Sequence, residues 1–186
     1  MAQKNKVPEF VQMANEIKKN ASRYAASESV KFFKESFVKG GFTDSSFKAW
    51  SKSNSPFTGK RALYKSGNLM RSIKKLSAST SRVVVVADSE YADIHNSGGT
   101  IVVTAQMKKY FWAKFYELKG KGSKAMYCRA MALKPVGSKI KVPQRQFMGN
   151  SQTLMNNFDA WFGETIKKQI EPQFKDSSVK IELRNV

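Results

Sequence analysis

Apolar residues between positions 8 and 39 recur at three- and four-residue steps. Phe10, Ala14, Ile17, Ala21, Tyr24 and Ala25 form one stripe, and Phe32, Phe33 and Phe37 continue it. That period predicts a long helix, with Pro8 in its first turn, a break near Ser27–Ser29 and a stop at Gly40-Gly41. Between 41 and 62 the rings Phe42, Phe47, Trp50 and Phe57 sit among Ser, Lys, Asn, Pro and Gly without a steady period, which predicts an irregular connection pinned by buried rings. Residues 69–77 and 82–88 then read as two strands joined by a polar turn. The unbroken run Val83–Val86 suggests a strand covered on both faces.

The pattern next predicts a short helix over 89–95, with Ser89 as N-cap, Glu90 and Asp93 in the first turn, and Gly98-Gly99 as the stop. Thr100–Val103 follows as a strand. Helical spacing returns over 104–118, where Thr104 can cap and Met107, Phe111, Phe115 and Leu118 share a side. Gly120-Lys121-Gly122 breaks that helix, and a second covers 124–134. Lys139–Val142 alternates polar and apolar as a half-buried strand should, and Pro143 ends it. Over 151–170 Leu154, Phe158, Trp161, Phe162, Ile166 and Ile170 define a last helix, closed by Pro172. The stretch 173–186 suits a terminal strand or an arm.

No βαβ unit repeats in that order, so the expected class is α+β: a long N-terminal helix, a mainly antiparallel sheet with packed helices, a C-terminal helix and an extended tail. The expected division is an N-terminal helical segment at 1–40, a core domain at 41–172 with a basic helical insertion near 104–134, and the tail.

Charge sharpens this picture. The 186 residues hold 33 Lys and Arg against 14 Asp and Glu, a net +19. Residues 1–82 carry a net +12, residues 83–145 a net +7, and residues 146–186 none. Within 104–145 the cations Lys108, Lys109, Lys114, Lys119, Lys121, Lys124, Arg129 and Arg145, with three further lysines, face a single acid, Glu117. Such a run is either a solvated face or a surface for polyanions, DNA included. Aromatic neighbours such as Tyr110, Trp112 and Tyr116 could stack on bases, yet no RNP-like, zinc-finger or helix-turn-helix signature accompanies them.

Candidate chemistry is sparse. One Cys and one His exclude a disulfide framework and the usual Cys/His zinc sites. His95 has no partner spacing that singles out a nucleophile, and Cys128 reads as a small buried thiol. Ser97-Gly98-Gly99-Thr100 is too short for a phosphate loop and lacks its Lys. The expectation is a chain with no catalytic residues, cofactor or metal. The N-terminus shows no secretory pattern, no apolar run is long enough to span a membrane, and a soluble intracellular protein is expected.

Three segments carry a resemblance. Leu63–Ile73 reads L-x-x-S-G-x-L-x-x-S-I, with Ser66, Gly67, Leu69 and Ile73 as its marks. Tyr91–Gly99 reads Y-A-x-I-H-N-x-G-G, through Tyr91, Ala92, Ile94, His95, Gly98 and Gly99. Val142–Gly149 supplies Pro143, Arg145 and Phe147 ahead of the last helix. In this order and spacing the chain resembles the tailed-phage virion morphogenesis proteins, also called tail completion or neck proteins, of the Mu-like G protein group. The resemblance spans roughly residues 40–170, and the stretch 104–134 is longer than in the shortest members. It implies a structural virion protein without enzymatic activity. Such a protein would be a homo-oligomer, a hexameric ring at the head-tail neck, assembled in the host cytoplasm. Its partners would be other neck, portal-side and tail proteins, with DNA passing through unread. A basic nucleic-acid-binding protein is the rival reading. Physically, the motif positions suit fold maintenance as well as contact: Ser66-Gly67 a sharp turn, Gly98-Gly99 a positive-φ turn, Arg145 fixed contacts to a carboxylate or to carbonyls.

Overall fold

A computed structural model describes residues 10–58 and 62–174. Helix α1 (Phe10–Lys39) runs unbroken through Ser27–Ser29, where an interruption was expected. Serine is a mediocre helix former but not a breaker, and no Gly or Pro lies inside the segment. Pro8 and the tail beyond Phe174 lie outside the described residues. The stop at Gly40 is as expected, with φ +72° and its N–H bonded to the Ser36 carbonyl at 2.8 Å.

The expected irregular stretch after α1 contains a tight hairpin, β1 (Gly41–Thr43) with β2 (Phe47–Ala49). Gly41 is required there: a Cβ would stand 2.4 Å from the Lys48 carbonyl oxygen. Of the four rings in this region only Phe42 is fully buried. Trp50 and Phe57 are half-buried and Phe47 is exposed.

A second correction falls on residues 68–72. They form one turn of helix, α2 (Asn68–Ser72), entered through Gly67 at φ +73°, and the strand β3 (Ile73–Ala78) begins only after it. Leu69 therefore packs from a helix and Ile73 from a strand. β3 pairs antiparallel with β4 (Val83–Ala87), Ile73 opposite Ala87, with a bulge between Lys75 and Ser77. The valines of β4 are half-buried throughout rather than covered on both faces. This two-stranded ribbon lies against α1, and among the described residues no further strand extends it.

Helix α3 (Ala92–Ser97) starts later than expected. Its N-cap is Tyr91, without a side-chain bond, and Ser89 acts through its carbonyl, which accepts from the Ala92 N–H at 2.9 Å. Strand β5 (Gly99–Val102) pairs antiparallel with β6 (Lys139–Val142), Gly99 opposite Val142, and Pro143 follows as expected. Between these strands stand α4 (Ala105–Glu117) and α5 (Gly122–Leu133), which pack chiefly on each other. Thr104 caps α4, its hydroxyl accepting from the Met107 N–H at 3.1 Å. Ala125, Cys128 and Ala132 form the buried face of α5, so the lone thiol is interior. The last helix, α6 (Gln152–Phe174), runs one turn past the expected end and holds Pro172 in its final turn.

The class is α+β, as expected, but the single sheet resolves among the described residues into three separate antiparallel pairs. What unites them is one core. Phe32, Phe33 and Phe37 of α1 meet Phe42, Leu69, Ile73, Ala92 and Phe147, so the end of α1 belongs to the core built by the residues after it. Farther along α1, Tyr24 stacks on Trp161 of α6, with centroids 4.1 Å apart and planes within 4°. That joins the two long helices.

Candidate functional site

The three motif segments, far apart in sequence, meet beside this core. Asn96 does most of the joining. It lies in the last turn of α3 and turns its Oδ1 toward the segment after β6, where it accepts from the N–H of Phe147 at 2.9 Å and of Met148 at 3.0 Å. One residue earlier the His95 carbonyl accepts from the Arg145 N–H at 2.8 Å. These bonds hold the second motif against the third and place Phe147, 1 % exposed, 5.1 Å from the ring of Phe37. Gly98 makes this approach possible: at φ +73°, its Cβ would stand 2.9 Å from the Gln144 amide nitrogen.

Arg145 ties the same segment to the loop after β2. Its Nε donates to the Ser51 carbonyl at 3.0 Å and its Nη2 to the Lys52 carbonyl at 3.3 Å. The Trp50 indole N–H donates to the Gln146 carbonyl at 2.6 Å in the same seam. Of the two expected partner types, the guanidinium therefore takes carbonyls. It is 7 % exposed and forms no ion pair among the described residues. Its burial presses its pKa downward.

These tethers leave a cavity of about 370 Å³ between the motifs. Leu63, Tyr64, Lys65, Ser66, Gly67 and Leu69 of the first motif form one wall. Tyr91 and His95 of the second and Arg145 of the third form another, and Ser53, Ser55 and Thr58 close a third side. Lys65 also sets its ammonium 5.6 Å from the ring centroid of Phe57. His95 lies edge-on to Tyr91, with centroids 6.0 Å apart, and its Nδ1 is buried without a hydrogen-bond partner. Burial first, and the Arg145 charge second, hold the imidazole below its ordinary value, so it is neutral at neutral pH.

The remaining motif positions serve the fold directly. Leu69 and Ile73 are core residues at 3 % and 1 % exposure, Ala92 is buried, and Ile94 is half-buried with its Cδ1 where a Cβ on Gly99 would fall. Pro143 is exposed beyond β6.

The basic candidates other than Arg145 lie elsewhere. Lys108, Lys109 and Lys114 are on α4, Lys119 and Lys121 in the turn after it, Lys124 and Arg129 on α5. At about 100° per residue the three lysines of α4 fall roughly at 0°, 100° and 240°, so they ring the helix rather than form a stripe. Lys114 is spoken for by Glu117 at 2.6 Å, which raises the lysine's pKa. Lys124 lies 5.9 Å from the centroid of the Phe57 ring. The arrangement is a charged two-helix projection carried on the β5–β6 ribbon, with Tyr110, Tyr116, Met126 and Leu133 exposed beside the cations.

Sequence reasoning missed Asn96, although it stands within the second motif. An Asn in the last turn of a short helix, just ahead of Gly98-Gly99, is a signal, because one amide oxygen can satisfy two adjacent backbone N–H groups. It also missed Lys65 and the serines at 53 and 55, which nothing in the local pattern distinguishes from surface residues.

The tethers among the motifs hold α3, the 145–148 segment and the loop after β2 together in one α+β core. Residues 41–158 match the model of the phage virion morphogenesis family, and the chain belongs to that family. The match begins at the first residue of β1 and ends within α6, so it contains all three motifs and the basic helical pair. No curated protein and no solved structure matches the chain. Membership gives it a role in phage virion assembly and partners among the phage's other structural proteins. Among the described residues, no helix is long and apolar enough to cross a membrane, and no group of His, Cys, Asp and Glu is placed to hold a metal.

Proposed function

We propose that this protein is a non-enzymatic neck component: an oligomeric ring, hexameric in its working form, that completes the tail and joins it to the head. The family match over residues 41–158 carries this reading. Two features of the molecule support it. The motif residues hold the subunit together, which leaves function to surfaces. The most prominent surface is the basic helical pair, whose cations and exposed aromatics suit acidic faces of neighbouring virion proteins or the DNA that passes a ring. The C-terminal helix, with two lysines against three acids, suits contact between copies, where a strong like charge would oppose association.

The test is assembly. Native mass spectrometry and electron microscopy of the full chain should show closed rings. A phage with a nonsense codon in this gene should accumulate filled heads and tails that fail to join, and added protein should restore joining. A chain that stays monomeric at high concentration, together with normal virions from the mutant phage, would sink the proposal. Tight, steeply salt-dependent duplex binding by that monomer would then favour the nucleic-acid reading.

A further inference from the structure

The cavity between the three motifs contains a buried cation without an anion. Arg145 is 7 % exposed, and its two hydrogen-bond partners are neutral carbonyls. Its Nη1 donates to nothing among the described residues. Among the described residues no Asp or Glu lines the cavity, whereas Lys65, His95, Ser53, Ser55 and Ser66 do. A guanidinium removed from water is ordinarily matched by a carboxylate or phosphate, because carbonyl dipoles repay only part of its lost hydration. Hydroxyls donate readily to an anion, and the guanidinium still has N–H groups to offer one.

We propose that this cavity is a docking pocket for an acidic peptide segment of another protein, one that inserts an Asp or Glu carboxylate toward Arg145 and Lys65. Size and depth favour a side chain over nucleic acid. About 370 Å³ holds two or three side chains but no part of a duplex. A phosphate on a duplex is fixed in a stiff backbone and stays at the rim, while a carboxylate on a flexible stem reaches a group as deep as Arg145. Leu63 and Tyr91 offer apolar wall to the stem of that side chain. The pocket is independent of the neck assignment: it would persist in any protein with these residues, and its failure would leave ring formation untouched.

His95 is the chain's only histidine, so its ring proton resonances report this cavity alone. The full chain is titrated with the blocked tripeptide acetyl-Ala-Glu-Ala-amide, with its Gln counterpart, with inorganic phosphate and with a short DNA duplex. The Glu peptide should shift the His95 resonance saturably, with a midpoint of about 1 mM or below, and the Gln peptide should not. Lys65→Glu should weaken that binding about tenfold or more. Lys19→Glu, an equal charge change on an exposed residue of α1 outside the cavity, should leave it within about twofold. Lys65 is exposed, and matched thermal midpoints would confirm that both variants fold. Equal shifts from the Glu and Gln peptides, equal losses in the two variants, or a tighter His95 response to phosphate or duplex than to the Glu peptide would each overturn the proposal.

Discussion

Asn96 shows how much of this fold one side chain carries. Its amide oxygen is the acceptor for two consecutive backbone N–H groups, one of them on the fully buried Phe147. Asn96→Ala strands both donors, and an unsatisfied buried amide costs about 1–3 kcal/mol. The expected loss by chemical denaturation is about 2–4 kcal/mol. Asn96→Asp keeps an acceptor in place and should lose less than half as much. Equal losses would mean that the amide N–H₂ or the side chain's packing matters instead. His95, one residue earlier, makes a pH-dependent contribution. Its folded pKa lies below the ordinary 6.5, from burial and from Arg145. The unfolded chain therefore binds a proton more readily than the folded one. The stability this represents is present in full above about pH 6.5 and is lost as pH falls from there toward the folded value. Denaturation midpoints of the wild type should drop between neutral pH and the upper fives, before carboxylates titrate, and His95→Gln should flatten that part of the curve.

At the scale of elements, the strongly periodic segments were legible and the short ones were not. The stripes of α1 and α6, the alternation of β6 and the cap at Thr104 each repeat a local rule, and each stands where the pattern puts it. The β1–β2 hairpin has three residues per strand, too few for alternation to show. The helix α2 is a single turn whose Leu69 and Ile73 would suit a strand equally well. Only Gly67 at φ +73° and the close packing against α1 decide it. The cavity was the least legible feature, because its walls come from four stretches of sequence and its charge imbalance appears only when they are assembled. The pair α4–α5 was read correctly as helices, and its mutual packing implies a separable unit. Thr104→Ala should remove about 1 kcal/mol from the start of α4. Hydrogen exchange should then speed up in α4 and α5 while amides of α1 and β3 keep their protection. Uniform acceleration across the chain would show instead that the pair folds as one with the core.

For the whole molecule, the net +19 and the proposed ring are in tension. Identical subunits of that charge repel one another, because the 14 acids are already counted in the net value. Closure then depends on keeping the charge away from the contact, and the charge distribution allows this, since residues 146–186 are neutral overall while the excess lies in 1–145. Salt separates the two readings by sign. Self-association across a neutral surface, opposed by distant like charges, should strengthen as salt rises from about 0.05 to 0.5 M, because the screening length falls from above 10 Å to below 5 Å. Binding to duplex DNA should weaken over the same range, as displaced counterions are no longer released into dilute solution. Sedimentation of the protein alone and of the protein with duplex, in the same salt series, measures both. Oligomers that dissolve as salt rises would place cations in the subunit contact itself, each facing an acid of the next copy, and would move the ring interface from the C-terminal helix to the basic pair.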